Sequence, residues 1–321
     1  MAVYLVRRLL HAALVLLVLS AATRALLSAM PGDPVENLRK SSPRPLSADD
    51  LQRLKRHYGL DDPVLVQYGK WLRQLLTGDL GHSLSHHVPV GDLLWPALGR
   101  TLVLSGIAFV VAAVLSVWLG VQSAAAAGSP NDLLIRGLCY LGISLPPFWL
   151  CLVLIQWFAV RWRWLPPDAQ APPGGAEPYA AWSYLLLPVT AVTLLLTADW
   201  TRYVRAGLRD VLDADFLRAL RARGAGERRI LWAHAVPNAL VPFFTMLGLS
   251  LPSLVGGELV VEMVFGWPGL GQLEYNALRE QDANVAMAAL MLIAAATLLG
   301  SLLADVVHAA LDPRVGEPID P

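Results

Sequence analysis

Six stretches of this 321-residue chain are apolar enough and long enough to cross a lipid bilayer. They run approximately from Leu9 to Ala29, Leu102 to Val121, Leu138 to Val160, Trp182 to Ala198, Ala239 to Val261 and Ala283 to Val307. A hydrocarbon core of about 30 Å is crossed by roughly 20 helical residues. Only a helix satisfies its backbone hydrogen bonds within one such run. The expectation is an all-α membrane protein with six transmembrane helices. Composition supports it where it bears on the point: 55% of residues are hydrophobic and 16% charged, poorer in charge than an average globular chain. A formal net charge of zero argues against a nucleic-acid partner.

The first run resembles a signal peptide in having Arg7 and Arg8 before it. It continues past Ser20, and no clear small-x-small cleavage site precedes Met30-Pro31-Gly32-Asp33-Pro34, which favours a retained anchor. The expected organisation is an N-terminal helix at 1–30, an extracytoplasmic helical region at 31–100, a five-helix core at 101–311 with a cytoplasmic loop at 202–238, and a cytoplasmic tail at 312–321.

Arginine asymmetry sets the orientation. Arg202, Arg205, Arg209, Arg218, Arg221, Arg223, Arg228 and Arg229 lie between the fourth and fifth runs. With Arg7, Arg8 and Arg136 they fall on one side, which places both termini in the cytoplasm. Residues 31–100 are also rich in Lys and Arg. Long loops escape the rule, and Asp33, Glu36, Asp49, Asp50, Asp61, Asp62, Asp79 and Asp92 offset that charge. Two short amphipathic helices are expected there. The first starts at Ser47-Ala48-Asp49-Asp50, presents Leu51, Leu54 and Tyr58, and stops at Gly59. The second starts at Asp62-Pro63, presents Leu65, Tyr68, Leu72 and Leu75, and stops at Gly78.

Several chemistries find no support. There is no G-x-x-x-x-G-K-[ST], and no lysine at all follows Lys70. Neither H-E-x-x-H nor G-x-S-x-G occurs. Cys139 and Cys151 are twelve residues apart, about 18 Å on a straight helix, too far for a disulfide. They read as packing residues. His82, His86 and His87 form either a metal-binding group or a set of solvated loop histidines, and no metal site is expected.

Within the runs, Leu145 to Leu150 reads LPPFWL, and Pro146 and Pro147 should kink or break the third span. That break, with Phe148, is either structural or part of a pathway lining, since freed carbonyls need protein or a wet cavity. Glu258 and Glu262 sit one turn apart after Gly256-Gly257. They either meet a cationic group in a pathway or form an interfacial polar face. Trp157, Trp162 and Trp164 mark the outer end of the third span.

The segment from Arg218 to Asn238 packs arginines between apolar runs. Asp213 or Asp215 is a candidate cap for a short helix in which Phe216, Ala219, Leu220 and Arg223 share a face. Gly224 suits a left-handed stop. Glu227 opens a second helix with an edge of Ile230, Leu231 and His234, Pro237 ends it, and Asn238 caps the fifth span. The loop either fixes topology and touches anionic lipid or, being elbowed, serves as a docking surface.

Arg218-Ala219-Leu220, Gly224 and Val236-Pro237 resemble the EAA signature of bacterial ABC-transporter importer permeases: E-A-A, three residues, G, nine residues, I-x-L-P. Arg218 replaces the acid, Leu220 the second Ala and His234 the Ile. These departures, with an ordered series of other stretches, resemble the first-permease type of the dipeptide/oligopeptide/nickel family. The stretches are Met30 to Pro34, YGLDDP at Tyr58 to Pro63, GDLGHS at Gly78 to Ser83, SLPPFWL at Ser144 to Leu150, FGWPGLG at Phe265 to Gly271 and LDPR at Leu311 to Arg314. Glu258 and the histidine group lie outside the pattern.

The resemblance implies a type I ABC importer permease fold. It implies peptide import across the bacterial inner membrane, with nickel, glutathione or antimicrobial peptides as alternative cargoes. It implies a second, related permease subunit, an extracytoplasmic peptide-binding protein contacting the outer helices from Asp49 to Leu76, and two ATP-binding subunits that hold ATP and Mg. This chain then binds no cofactor of its own and is not an enzyme. The loop from Asp215 to Pro237 is the expected coupling segment. Gly224 makes its elbow, and Phe216, Leu220, Ile230 and His234 supply docking contacts. The arginines pair with acids on the ATPase. An ion-coupled secondary peptide carrier is the reading from another class, and a membrane enzyme or receptor a third.

Overall fold

The structure, a computed structural model, describes residues 2–31, 49, 52–53, 55, 61–168, 182–256 and 258–311, without the side chains of 2–6 and 303–311. The first expected outer helix lies largely outside the described residues, as do Gly257 and the tail at 312–321. Among the described residues the regular structure is helical, apart from an isolated antiparallel bridge between His82 and Pro89. Five helices are long and apolar enough to span a membrane, and a bent helix pair brings the number to six if it counts as one span. The chain divides into two compact units, one of residues 1–101 and 268–298, the other of residues 102–267 and 299–321.

In the first unit, α1 (Ala2–Ala29) packs with α2 (Val64–Leu76). The Tyr68 hydroxyl meets the Ser20 hydroxyl at 2.9 Å, and the Arg24 guanidinium bonds the Gln67 side chain. The anchor of α2 is Trp71, which is buried and stacks on Tyr68. Leu65, expected on the buried stripe, is exposed instead. The inward face runs Tyr68, Trp71, Leu72 and Leu75, so Leu65 falls one turn before the contact begins. Gly78 ends the helix at φ 80°.

The segment after α2 is held to the turn between α11 (Leu270–Glu280) and α12 (Ala283–Leu311). The Ser83 and Ser85 hydroxyls and the Ser85 amide all donate to one oxygen of Asp282, at 2.6, 2.9 and 3.0 Å. Asp282 is buried, and three donors are what keeps a buried carboxylate tolerable. The Asn284 amide donates to the His82 carbonyl at 2.9 Å. Among the described residues, no group of three or more His, Cys, Asp or Glu is placed to hold a metal ion.

The second unit carries the rest of α3 (Val90–Ala125), then α4 (Pro130–Ser144) and α5 (Pro147–Arg161), bent 108° from each other. Both prolines explain the bend. The residue before a proline is pushed out of the helical region. Leu145 and Pro146, each followed by Pro, are extended at ψ 132° and 134°. Pro147 then begins α5, where its missing N–H costs nothing. The last turns of α5, Ile155–Arg161, are π-helical, and Trp157, Phe158, Trp162 and Trp164 cluster at that end.

Next come α6 (Trp182–Leu212), α7 (Asp215–Ala222) and α8 (Glu227–Ser250), then α9 (Ser253–Gly256) and α10 (Leu259–Phe265). Two expectations need correction. The fourth span does not stop at Ala198: α6 continues to Leu212, so Arg202, Arg205 and Arg209 are helical rather than in a loop. The fifth span is not Ala239 to Val261: its helix begins at Glu227, ends at Ser250 and is interrupted before α10. Pro252 lies at that interruption, where a continuous helix would need its N–H.

Small residues set the helix packing. A Cβ on Gly120 would come within 2.6 Å of the Val204 side chain, and one on Gly142 within 2.7 Å of Ala198. Close backbone approach at small residues is how helices associate where lipid is as apolar as the side chains. Ile107, Val110, Val114 and Trp118 of α3 and Leu133, Leu134, Leu138 and Leu141 of α4 stay exposed, which fits an apolar surrounding.

Candidate functional site

The loop joining α6 to α8 is an elbow made by local backbone chemistry. Ala214, extended at ψ 144°, occupies the cap position of α7 and no side chain caps it. Asp215 is therefore the first helical residue, not the cap, and its carboxylate pairs with Arg218 at 3.0 Å. An acid in the first turn still favours the helix through its dipole. The other end closes with two bonds: the Gly224 N–H to the Arg221 carbonyl at 2.9 Å and the Ala225 N–H to the Leu220 carbonyl at 3.2 Å. This double closure needs a left-handed residue between them, and Gly224 is at φ 80°. Gly226 is extended, α8 then starts at Glu227, and Glu227 meets Arg221 at 2.9 Å across the elbow.

Burial divides the loop residues into two sets. Leu217 and Ile230 are fully buried, in one apolar cluster with Val121, Ala124, Trp200, Val204, Leu208, Val236 and Phe243. Leu220 packs partly against it. Phe216, Arg218, Ala219, Arg223, Gly224, Glu227, Arg228 and Arg229 are exposed, with Trp232. Ile230 therefore does not offer a docking contact; it points back into the protein's own core and holds the elbow to α3 and α6. His234 is half-buried.

Pro237 does not end a helix. Over Ile230–Ala235 the helix widens to π register, and the Val236 N–H bonds back to Leu231. The chain thus passes through Pro237 into the span without a break. The Asn238 amide donates to the His234 carbonyl at 2.7 Å, so Asn238 back-bonds within the helix rather than capping it.

A polar cluster that sequence reasoning missed lies beside this loop. Both oxygens of Asp132 accept from the Arg205 guanidinium, Nε at 2.8 Å and Nη2 at 3.0 Å. The Ser123 hydroxyl adds a donor at 2.5 Å and the Gly128 N–H another at 3.0 Å. Asp132 is 1% exposed. Arg205 comes from α6, Ser123 from α3 and Asp132 from the first turn of α4.

The candidate pathway residues fall into neighbouring places. Pro146 and Pro147 form the bend, and Phe148 beside them is exposed. Cys151 and Leu154 of α5 share an apolar cluster with Val261 and Phe265 of α10. Glu258 precedes the first residue of α10 and is half-buried, and Glu262 one turn later is fully buried. The two acids and the proline bend are thus carried by elements that pack together.

Residues 112–317 match the family described as binding-protein-dependent transport system inner membrane component, and residues 1–113 match its N-terminal companion. The chain belongs to this family. Among the relatives of this permease is the oligopeptide transport system permease protein AppB of Bacillus subtilis, 36% identical over 98% of this chain and 99% of that protein. The dipeptide transport system permease protein DppB of Alkalihalophilus pseudofirmus is 30% identical over 98% and 99%. The glutathione transport system permease protein GsiC of Escherichia coli O6:H1 is 32% identical over 97% and 98%. In fold the permease is similar to a chain of the MetNI methionine ABC transporter in an inward-facing conformation: TM-score 0.55, 19% identity, covering 68% of this chain and 96% of that one. A chain of an amino acid ABC transporter has TM-score 0.52 and 15% identity, covering 70% and 94%.

Proposed function

We propose that this permease is one of two related subunits forming the pathway of an ATP-driven importer of peptides in a bacterial inner membrane. Relatives that match it end to end are named for oligopeptide and dipeptide transport, and one for glutathione. A peptide backbone with a free ammonium is the cargo chemistry these share. ATP and Mg belong to two partner subunits docked in the cytoplasm, where both termini of this chain also lie. A binding protein delivers cargo to the outer side, against the region of α2.

The observation that carries the coupling role is the elbow at Gly224, with buried Leu217 and Ile230 inside and exposed Phe216, Ala219 and the arginines outside. One face is fixed to the protein's own helices while the other is free to enter a cleft. ATP-driven closure of the partners then moves the loop and α8 together, a rigid-body switch between outward and inward access. Phe216 and Ala219 are the apolar contacts, and Arg218, Arg223 and Arg228 meet acids on the partner.

The test is Gly224→Val in the reconstituted complex. Nothing lies within 4 Å of a Cβ there, so the substitution strains only the left-handed backbone. Membrane insertion should persist while peptide import falls. Import at the wild-type rate would refute the coupling assignment.

A further inference from the structure

We propose that the Asp132–Arg205 ion pair is the joint through which movement of the coupling loop reaches α3 and α4, with Ser123 as its third member. The proposal rests on the coupling role given to the loop above.

The cluster sits where such a joint has to be. The turn between α3 and α4 is tight, with Gly128 at φ 82°. Asp132 seals it by accepting from the Gly128 N–H and the Ser123 hydroxyl, while its own N–H donates to the Ser129 hydroxyl at 3.3 Å. Arg205 reaches this sealed hairpin from α6 with both arms of its fork, and its Nε also lies 3.0 Å from the Ser123 hydroxyl. The neighbours of Arg205 on α6, Val204 and Leu208, belong to the apolar cluster that anchors Leu217 and Ile230 of the loop. One short length of α6 thus holds the loop by apolar contact and the α3–α4 hairpin by charge.

The fork lies beside the closest approach of α3 to α6. At the level of Arg205, α3 presents Gly120, and a Cβ there would lie 3.2 Å from the Arg205 backbone nitrogen. The same Cβ would lie 2.6 Å from the Val204 side chain, so the two helices are in close contact one residue from Arg205. A forked guanidinium on a carboxylate fixes both angle and height. Stability is a weaker reason to keep such a pair, because apolar replacements of buried ion pairs are often neutral or better. What the fork supplies is a fixed geometry between the loop and the helices it must move.

The experiment uses the full complex with its ATPase and binding-protein partners. Spin labels go on Ala222 at the end of α7 and Asn131 in the first turn of α4, both exposed. With the native pair, their separation should be the same with and without a non-hydrolysable ATP analogue, since loop and hairpin move as one body. In Arg205→Lys, which keeps the charge but loses the fork, the separation should change or broaden on nucleotide binding. Uptake of labelled trialanine per ATP hydrolysed should fall about tenfold, within the usual range of coupling energies. A separation that shifts with nucleotide in the native complex overturns the proposal, as does Arg205→Lys with unchanged separation. Should Arg205→Lys fail to assemble, Asp132→Asn, which keeps the shape but leaves the fork one acceptor oxygen, decides on the same reading. Gly224→Val run in parallel separates the two ideas. If it uncouples and Arg205→Lys does not, only the joint falls; if Gly224→Val imports normally, the coupling loop itself is wrong.

Discussion

At the residue scale, the positions that matter most are those whose partners are distant in sequence. Asp132 and Arg205 are 73 residues apart, and Ser83 and Asp282 are 199 apart. Nothing local distinguishes Arg205 from the other arginines near it, so along the chain it reads as a topology marker. Removing the buried Asp132 takes the acceptor from the Ser123 hydroxyl and the Gly128 N–H as well as from Arg205, whose side chain is 25% exposed. Asp132→Ala should therefore lower the thermal midpoint in detergent far more than Arg218→Ala, whose pair with Asp215 is exposed and contributes about 1 kcal/mol or less. A comparable loss from both variants would mean that Asp132 is not the buried acceptor described. Asp282→Ala takes the shared acceptor from Ser83 and Ser85. Amide exchange across residues 79–89 should then accelerate, with little change in α6.

At the element scale, prolines and glycines act according to their neighbours. The run at Pro146-Pro147 breaks its helix as the sequence implies, because two pre-proline residues in succession are held extended. Pro237 was expected to do the same and does not, because the π register shifts the bonding before it. Ile230, Ala235 and Val236 of that stretch pack into the apolar cluster, contacts with distant residues that local spacing does not show. Gly224 was legible, since the double closure of α7 needs a left-handed residue at one place only. The α2 stripe was half legible: spacing found Tyr68, Leu72 and Leu75, but Trp71 carries the contact. Truncating a buried Trp costs about 3–5 kcal/mol, so Trp71→Ala should expose α2 to limited proteolysis. Leu65→Ala, at a site 83% exposed, should leave the digestion pattern unchanged. Gly120→Leu forces a side chain against Val204, and overpacking there should reduce the yield of folded protein.

At the scale of the whole molecule, the proposed orientation makes a direct prediction. With Ala222→Cys a membrane-impermeant maleimide should react only from the cytoplasmic side, and with Leu76→Cys only from the outer side. Both positions are exposed, and the native Cys139 and Cys151 are buried, so the introduced thiols are the ones that report. Labelling of both from one side would reject the arrangement. Spans were determined by sequence because hydropathy is a property of consecutive residues, and a bilayer reads it as length. Their ends were not, since α3, α6 and α8 continue past the apolar runs through polar residues that are content in a helix. Family, elbow and proline break also came from the sequence, as each depends on a few adjacent residues. Tertiary structure alone decided which loop residues face inward, and it alone joined Asp132, Ser123 and Arg205. Those outcomes depend on which helix face meets which neighbour, and that is settled only when the helices pack.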